Sequence, residues 1–237
     1  MIVVMSKTTT EQNELNYNRS NSSKKEWSSF RHSMAYLDIA DDIPHRTEGE
    51  AVLLEHIPIS AKRILDLGTG NGRLLRLLKI NRPNMDAVGI DISPIMLKAA
   101  RERLVKYKSV KVIEHDLNDP LLELELGTFD AIVTNLTIHH LTHERKRSIY
   151  KEIFSLLNHG GVFCNLEHVD SATPKLHEQF LDLIGDRIAR FAKEEYSDKL
   201  LSVKTQLRWL RQIGFVDVDC YWKWLELALL IGIKSVP

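Results

Sequence analysis

At 237 residues with 32 basic and 32 acidic side chains, the chain has room for one α/β domain with a full core. It carries no global field that would draw it onto nucleic acid or an anionic membrane. Its two cysteines, Cys164 and Cys220, sit inside apolar runs without paired or metal-type spacing, as free buried thiols of a reducing compartment do. Met1–Met5 is too short for a signal-peptide core, and the apolar run Leu225–Ile233 is about half of a membrane-spanning helix. The expectation is a cytoplasmic protein with no membrane partner, acting on a small molecule rather than nucleic acid, as a monomer or homodimer.

Residues 6–25 are polar, with few large apolar groups, and are expected to form a mobile tail. Trp27, Phe30, Met34, Tyr36 and Leu37 restore apolar character and predict a small helical cap; tail and cap make up 1–42, ahead of a main domain at 43–237. A helix over Ala51–Ile57 stops at Pro58. Strand-like apolar runs follow at 63–68, 86–91, 110–115, 129–135 and 160–167, with helical patterns between them at 72–80, 93–107 and 143–157. Ser93 is a good N-cap and Pro94 suits the first helical position. Strands alternating with helices imply an α/β fold, with a doubly wound, mostly parallel sheet. Residues 173–200 read as a helical insertion after the fifth strand, carrying Leu176, Phe180, Ile184 and Ile188. A last helix, Thr205–Ile213, stops at Gly214, and runs at 215–222 and 224–233 with no helix between them predict an antiparallel pair.

The most informative segment is Arg63-Ile64-Leu65-Asp66-Leu67-Gly68-Thr69-Gly70-Asn71-Gly72-Arg73. Ile64, Leu65 and Leu67 make a buried strand, the glycines allow a sharp turn and close approach of a ligand, and Leu74, Leu75, Leu77 and Leu78 switch the period to helical. Such a strand-to-helix loop, with backbone N–H groups available, reads as a nucleotide-type site. A dinucleotide loop has similar spacing, but its third glycine would fall at Arg73.

These residues resemble the class I S-adenosylmethionine-dependent methyltransferases over roughly residues 43–237. The likeness rests on Asp66–Gly72, on Val88-Gly89-Ile90-Asp91-Ile92-Ser93, on Glu114-His115-Asp116-Leu117, on Phe129–Asn135 and on Leu156–Phe163. It implies a seven-stranded sheet with a terminal antiparallel strand and S-adenosyl-L-methionine as cofactor. It further implies that Asp66, Gly68, Thr69, Gly70, Asn71 and Gly72 cradle the methionine end, that Asp91 accepts the ribose hydroxyls, and that Ile92 and Met96 contact the adenine. Asp116 would take the adenine amino group, the Leu117 backbone a ring nitrogen, and Asn135 would line the same cavity. His45 and Arg46 are candidates to close over the carboxylate, with a surface pair as the alternative.

Methyl transfer needs orientation and desolvation more than a nucleophilic side chain, and a base near neutrality helps an acceptor that carries a proton. His139 and His140, just past the fourth strand, are candidates for a base or an acceptor-orienting group; Glu167 and His168, past the fifth, are candidates for substrate contact. No metal is expected. His139, His140, His143, Glu144, Glu167 and His168 could converge, but adjacent histidines tend to diverge and no His-Glu-x-x-His or paired-Cys spacing is present. The run Glu144-Arg145-Lys146-Arg147 reads as the solvated face of a helix. Alternative readings are an RNA-modifying methyltransferase, a nicotinamide-dependent oxidoreductase and a cofactor-binding module without turnover.

Overall fold

A computed structural model describes residues 26–194 and 198–236; the tail expected at 6–25 lies outside them. The strands are β1 (Arg63–Leu67), β2 (Asp86–Asp91), β3 (Val110–Glu114), β4 (Phe129–Asn135), β5 (Leu157–His168), β6 (Phe215–Trp224) and β7 (Leu227–Lys234). They form one seven-stranded sheet in the order β3-β2-β1-β4-β5-β7-β6. β1 to β5 pair in parallel, whereas β7 runs antiparallel to both of its neighbours, β5 and β6. The expected pair therefore does more than append itself: the later strand of the two slots inside the earlier one. Strand order reverses between β1 and β4, and the crevice at their carboxyl ends is where open α/β sheets bind ligands.

Helices α1 (Phe30–Ile39), α2 (Arg46–His56), α3 (Arg73–Asn81), α4 (Pro94–Leu104), α5 (His143–Leu156), α6 (Pro174–Ile184), α7 (Asp186–Glu194) and α8 (Val203–Ile213) surround the sheet. None among the described residues is long and apolar enough to cross a membrane. Local chemistry sets their ends. Ser93 caps α4 by accepting from the Met96 N–H at 3.4 Å, with Pro94 at the first position, and Thr142, Thr173 and Ser202 cap α5, α6 and α8 in the same way. Gly214 ends α8 with φ 120°, as expected from its position.

Two apolar cores flank the sheet. Ile64, Leu75, Leu78, Ala131 and Val133 belong to one, and Leu65, Leu67, Ile132, Ile153 and Phe163 to the other. A third, smaller cluster of Phe180, Ile184, Ala189 and Leu227 fastens the insertion helices α6 and α7 to the start of β7. α1 packs against α7 and α4, so the cap and the insertion meet above the carboxyl edge of the sheet.

One helix begins earlier than its pattern indicated. α2 starts at Arg46 rather than Ala51, because its buried face is Arg46, Gly49, Glu50 and Leu53. A face of that kind is invisible to a search for apolar periodicity.

Candidate functional site

The glycine loop turns at the carboxyl end of β1 with positive φ at Gly68 (68°), Gly70 (53°) and Gly72 (74°). Gly68 has no room for a side chain, since a Cβ there would lie 2.1 Å from Thr137 Cγ2. The loop's backbone donors are largely used within the protein, contrary to expectation. Thr69 N–H donates to Ile90 O at 2.8 Å, Gly70 N–H to Asp91 Oδ2 at 2.8 Å and Gly72 N–H to Thr69 O at 2.9 Å. The loop is thus stapled to the end of β2 and offers a shaped wall rather than a row of unfilled donors. Gly72 stands apart from the ligand space expected of it: it precedes α3, and a Cβ there would meet Leu104 at 2.8 Å.

A cavity with about 580 Å³ of open space lies against this wall, lined by Asp66, Gly68, Thr69, Gly70 and Asn71 and, from neighbouring elements, by Asp91, Met96 and Asn135. Asp66 is 1 % exposed; its Oδ2 accepts from the Thr69 hydroxyl at 2.7 Å, and its Oδ1 is buried without a hydrogen-bond partner. Burial pushes its carboxyl up to about 7. Asn135 donates Nδ2 to Glu50 at 2.8 Å, and its Oδ1 is likewise buried without a partner. Two unfilled acceptors on one cavity wall suit an ammonium group, and so fit the methionine end of the cofactor. Asp91 accepts from Ser93 N–H at 2.8 Å as well as from Gly70, which fixes the carboxylate at the β2 tip.

A second hollow of about 420 Å³ continues from the first and is lined by Ile92, Asp116, Leu117 and Asn118, with Gly68 and Asp91 shared. Asp116 Oδ1 accepts from both the backbone and side-chain nitrogens of Asn118, at 2.9 and 2.8 Å. An apolar slot edged by a turn carboxylate suits a purine. Met96 opens onto the first cavity rather than this one and is 1 % exposed, so it serves the core as well.

A third cavity, of about 560 Å³, lies between α1, the insertion and the sheet. Its walls are largely apolar, with Ile39, Ile43, Phe180, Ile184 and Ile188 on them, and His139, His140 and His168 supply the polar groups. Trp27, Tyr36, Leu136 and His140 border both this cavity and the first.

Behind the histidines runs a chain of carboxylates. His139 Nδ1 donates to Glu167 Oε1 at 2.7 Å, and His168 Nε2 donates to Glu226 Oε2 at 3.0 Å. Asp198 faces three rings: His140 Nδ1 at 3.2 Å, His139 Nε2 at 3.6 Å and His168 Nδ1 at 3.6 Å. Burial alone would lower the His168 pKa, but Asp198 and Glu226 together push it up to about 9. For His139 burial prevails and the pKa falls. Burial favours the neutral form of Asp198, yet the three imidazoles hold its carboxyl well below the usual range. Glu167, expected to touch substrate, lies behind His139 instead, 1 % exposed and off the cavity walls.

The adjacent histidines do not diverge: their ring centroids lie 3.9 Å apart, and both rings turn a nitrogen toward Asp198. His143 points elsewhere, to Leu200 O, and is exposed like Glu144. His45 is also off the site, paired with Glu48 at 2.7 Å and stacked on Trp224, whereas Arg46 is buried on the first cavity's wall.

Three important side chains lack a sequence expectation of their kind. Glu50, 1 % exposed, receives Arg46, Arg73 and Asn135 at once, so Arg73 is an anchor for α2 on the wall of the first cavity. Asp198 sits in no motif. Lys146, placed by its neighbours on a solvated face, is fully buried and donates to His139 O at 2.8 Å, Leu141 O at 2.9 Å and Lys199 O. Burial pulls its pKa down to about 8. Arg145 is not free in solvent either, because it pairs with Glu152 and donates to Leu117 O at 2.6 Å.

A glycine turn stapled to an acid-ended second strand, on a 3-2-1-4-5-7-6 sheet, defines a class I S-adenosylmethionine-dependent methyltransferase. A family model described as a methyltransferase domain matches residues 59–209, and the chain belongs to that family, with S-adenosyl-L-methionine as its cofactor. It is similar to the carboxy-S-adenosyl-L-methionine synthase of Nautilia profundicola, at 25% identity over 77% of this chain and 81% of that protein. The Campylobacter concisus protein of the same name is 27% identical over 85% of this chain and 87% of its own length. Among solved structures, an O-methyltransferase family protein from Burkholderia thailandensis superposes with a TM-score of 0.67 at 18% identity, covering 95% of this chain and 70% of that one.

Proposed function

We propose that the chain transfers the methyl group of S-adenosylmethionine to a hydroxyl of a small, mostly apolar acceptor held between the cap and the insertion. The observation that carries this reading is the apolar cavity that shares Trp27, Tyr36, Leu136 and His140 with the cofactor cavity. The bound cofactor supplies an electrophilic methyl group. The protein supplies alignment: Asp66 and Asn135 hold the ammonium, Asp91 the ribose, and the Asp116 turn the adenine. Phe180, Ile184 and Ile188 remove water from around the acceptor, which strengthens its nucleophilic oxygen. His140, common to both cavities, orients the hydroxyl, whose proton passes to solvent as the methyl group is transferred.

A second reading follows from the relatives' name: formation of a carboxylated sulfonium cofactor. A new carboxylate beside the sulfonium would call for an uncommitted cation. The guanidiniums on the cofactor cavity, Arg46 and Arg73, are both committed to Glu50, which favours the apolar acceptor. Mass spectrometry separates the two. Incubation with S-adenosylmethionine and a panel of hydroxylated aromatic and aliphatic compounds is expected to yield the demethylated cofactor and a methylated acceptor. A carboxylated cofactor, or no methylated product across the panel, refutes the leading reading.

A further inference from the structure

The histidine cluster beside the acceptor cavity has the donor spacing of a metal centre. His139 Nε2 and His140 Nδ1 lie 3.6 and 3.2 Å from the same oxygen, Asp198 Oδ1, and the three ligand atoms fall within 4.8 Å of one another. Donors bound at about 2.0–2.1 Å to a tetrahedral ion stand roughly 3.3–3.4 Å apart. Both contacts to Asp198 are close to that edge length. Asp198 Oδ1 is buried and makes no hydrogen bond of normal geometry, although two imidazole nitrogens lie at ion-pair distance.

The surrounding groups behave as the outer shell of such a centre. Glu167 holds His139 Nδ1, which leaves Nε2 to face inward as a lone-pair donor. His168, itself held by Glu226, lies 3.6 Å from Asp198 Oδ2, so the carboxylate can offer Oδ1 as a single ligand. The two ligand segments are also fixed to each other. Lys199 N–H donates to His139 O at 2.9 Å, Lys199 Nζ to His140 O at 3.0 Å, and Lys146 Nζ bridges the carbonyls of His139 and Lys199.

We propose that His139, His140 and Asp198 bind a divalent first-row transition-metal ion, with an open coordination position on the acceptor cavity. Two imidazoles and one carboxylate form a donor set suited to Zn²⁺ and its neighbours, and three protein ligands leave room for a fourth. His139 and His140 both border the acceptor cavity, so that position is the acceptor's. On coordination the acceptor hydroxyl releases its proton to bulk solvent. Its oxygen lone pair then forms the new C–O bond while the C–S bond breaks and sulfur keeps the pair. This role rests on the acceptor reading above; binding of the ion does not.

The test uses the full chain, stripped with a chelator and dialysed against Zn²⁺. About one ion per chain is expected by elemental analysis, and Co²⁺ in its place is expected to give the visible absorption of a four- or five-coordinate site. Asp198→Asn and His140→Gln are each expected to weaken Zn²⁺ binding at least about 100-fold, and Glu167→Gln about 10-fold. His143→Gln, outside the cluster, is expected to leave it unchanged. Substoichiometric retention, or retention that survives both Asp198→Asn and His140→Gln, overturns the site. Should those variants not fold, the wild-type Co²⁺ spectrum decides, and the pale spectrum of a six-coordinate aqueous ion overturns it. Chelation is expected to spare S-adenosylmethionine binding and abolish transfer until Zn²⁺ is restored. Transfer that survives chelation overturns the catalytic role alone, whereas a bound ion without any methylated acceptor overturns the proposed function and leaves the site standing.

Discussion

Glu50→Gln probes the support beneath the cofactor cavity. The carboxylate is 1 % exposed and accepts from Arg46 Nε at 3.2 Å, from Arg73 at 2.9 Å and from Asn135 Nδ2 at 2.8 Å. The amide keeps the volume but removes the charge and turns one acceptor into a donor facing guanidinium N–H groups. Removing one partner of a buried ion pair costs about 3–5 kcal/mol. Arg73 is 22% exposed and retains Asp41, which places the expectation at the lower end, about 3 kcal/mol. For a domain of this size that corresponds to a fall in Tm of about 6–12 °C, read by circular dichroism. Because Asn135 loses its anchor, affinity for S-adenosylmethionine is expected to fall about 10-fold by calorimetry, an effect of roughly 1.4 kcal/mol. The Glu50→Gln/Arg73→Gln double variant should cost at least about 1 kcal/mol less than the sum of the singles, since both remove the same pair. A Tm shift under about 2 °C, or strict additivity, refutes the reasoning.

Three further outcomes are expected. Gly68→Ala combines an αL backbone, about 1–2 kcal/mol, with overpacking against Thr137, about 1–3 kcal/mol, and urea unfolding should show that Thr137→Gly in the same chain recovers only the second part. Asp66, with its folded pKa raised to about 7, contributes stability that is greatest below its unfolded value near 3.8 and declines as pH rises toward 7, by at most about 4 kcal/mol. A cofactor ammonium favours the ionised form, so affinity is expected to increase between pH 6 and pH 7.5 by up to about 10-fold per unit; a parallel profile in Asp66→Asn rules this out. Lys146→Met leaves carbonyls of His139, Leu141 and Lys199 without their ammonium donor, at about 2–4 kcal/mol, and hydrogen exchange should quicken at 139–141 and 198–200 together.

Much of the fold was legible because burial follows the strands: β1, β2 and β4 are apolar runs that end at the edge of the first cavity, and Ser93 and Gly214 mark real helix ends. The wall of the first cavity followed from the same punctuation, with Asp66, Asp91 and Asn135 near strand tips. What escaped detection was polar burial. Arg46 and Glu50 give α2 a charged inner face, and Lys146 sits on the apolar face of α5, three residues before Ile149 and seven before Ile153. That spacing was a usable signal for Lys146, obscured by the basic residues on either side. Asp198 left no such trace, since it meets His139 and His140 only through the return of the chain from the insertion, and no local pattern encodes a contact across that distance.

The nesting of β7 between β5 and β6 has a consequence for synthesis on the ribosome. Until residues 227–234 emerge, β5 presents an open edge, and β6 has no place in the sheet. Glu226 and Leu227, which fasten His168 and the insertion helices, are made at the start of that same stretch. The wall on β1, β2 and β4 can assemble while translation continues; the proposed acceptor chamber has to wait for residues 226–234. Shortening the chain by a few residues past Leu227 is therefore expected to separate the two halves of the site, leaving a nascent protein that grips its cofactor before it has anywhere to put a substrate.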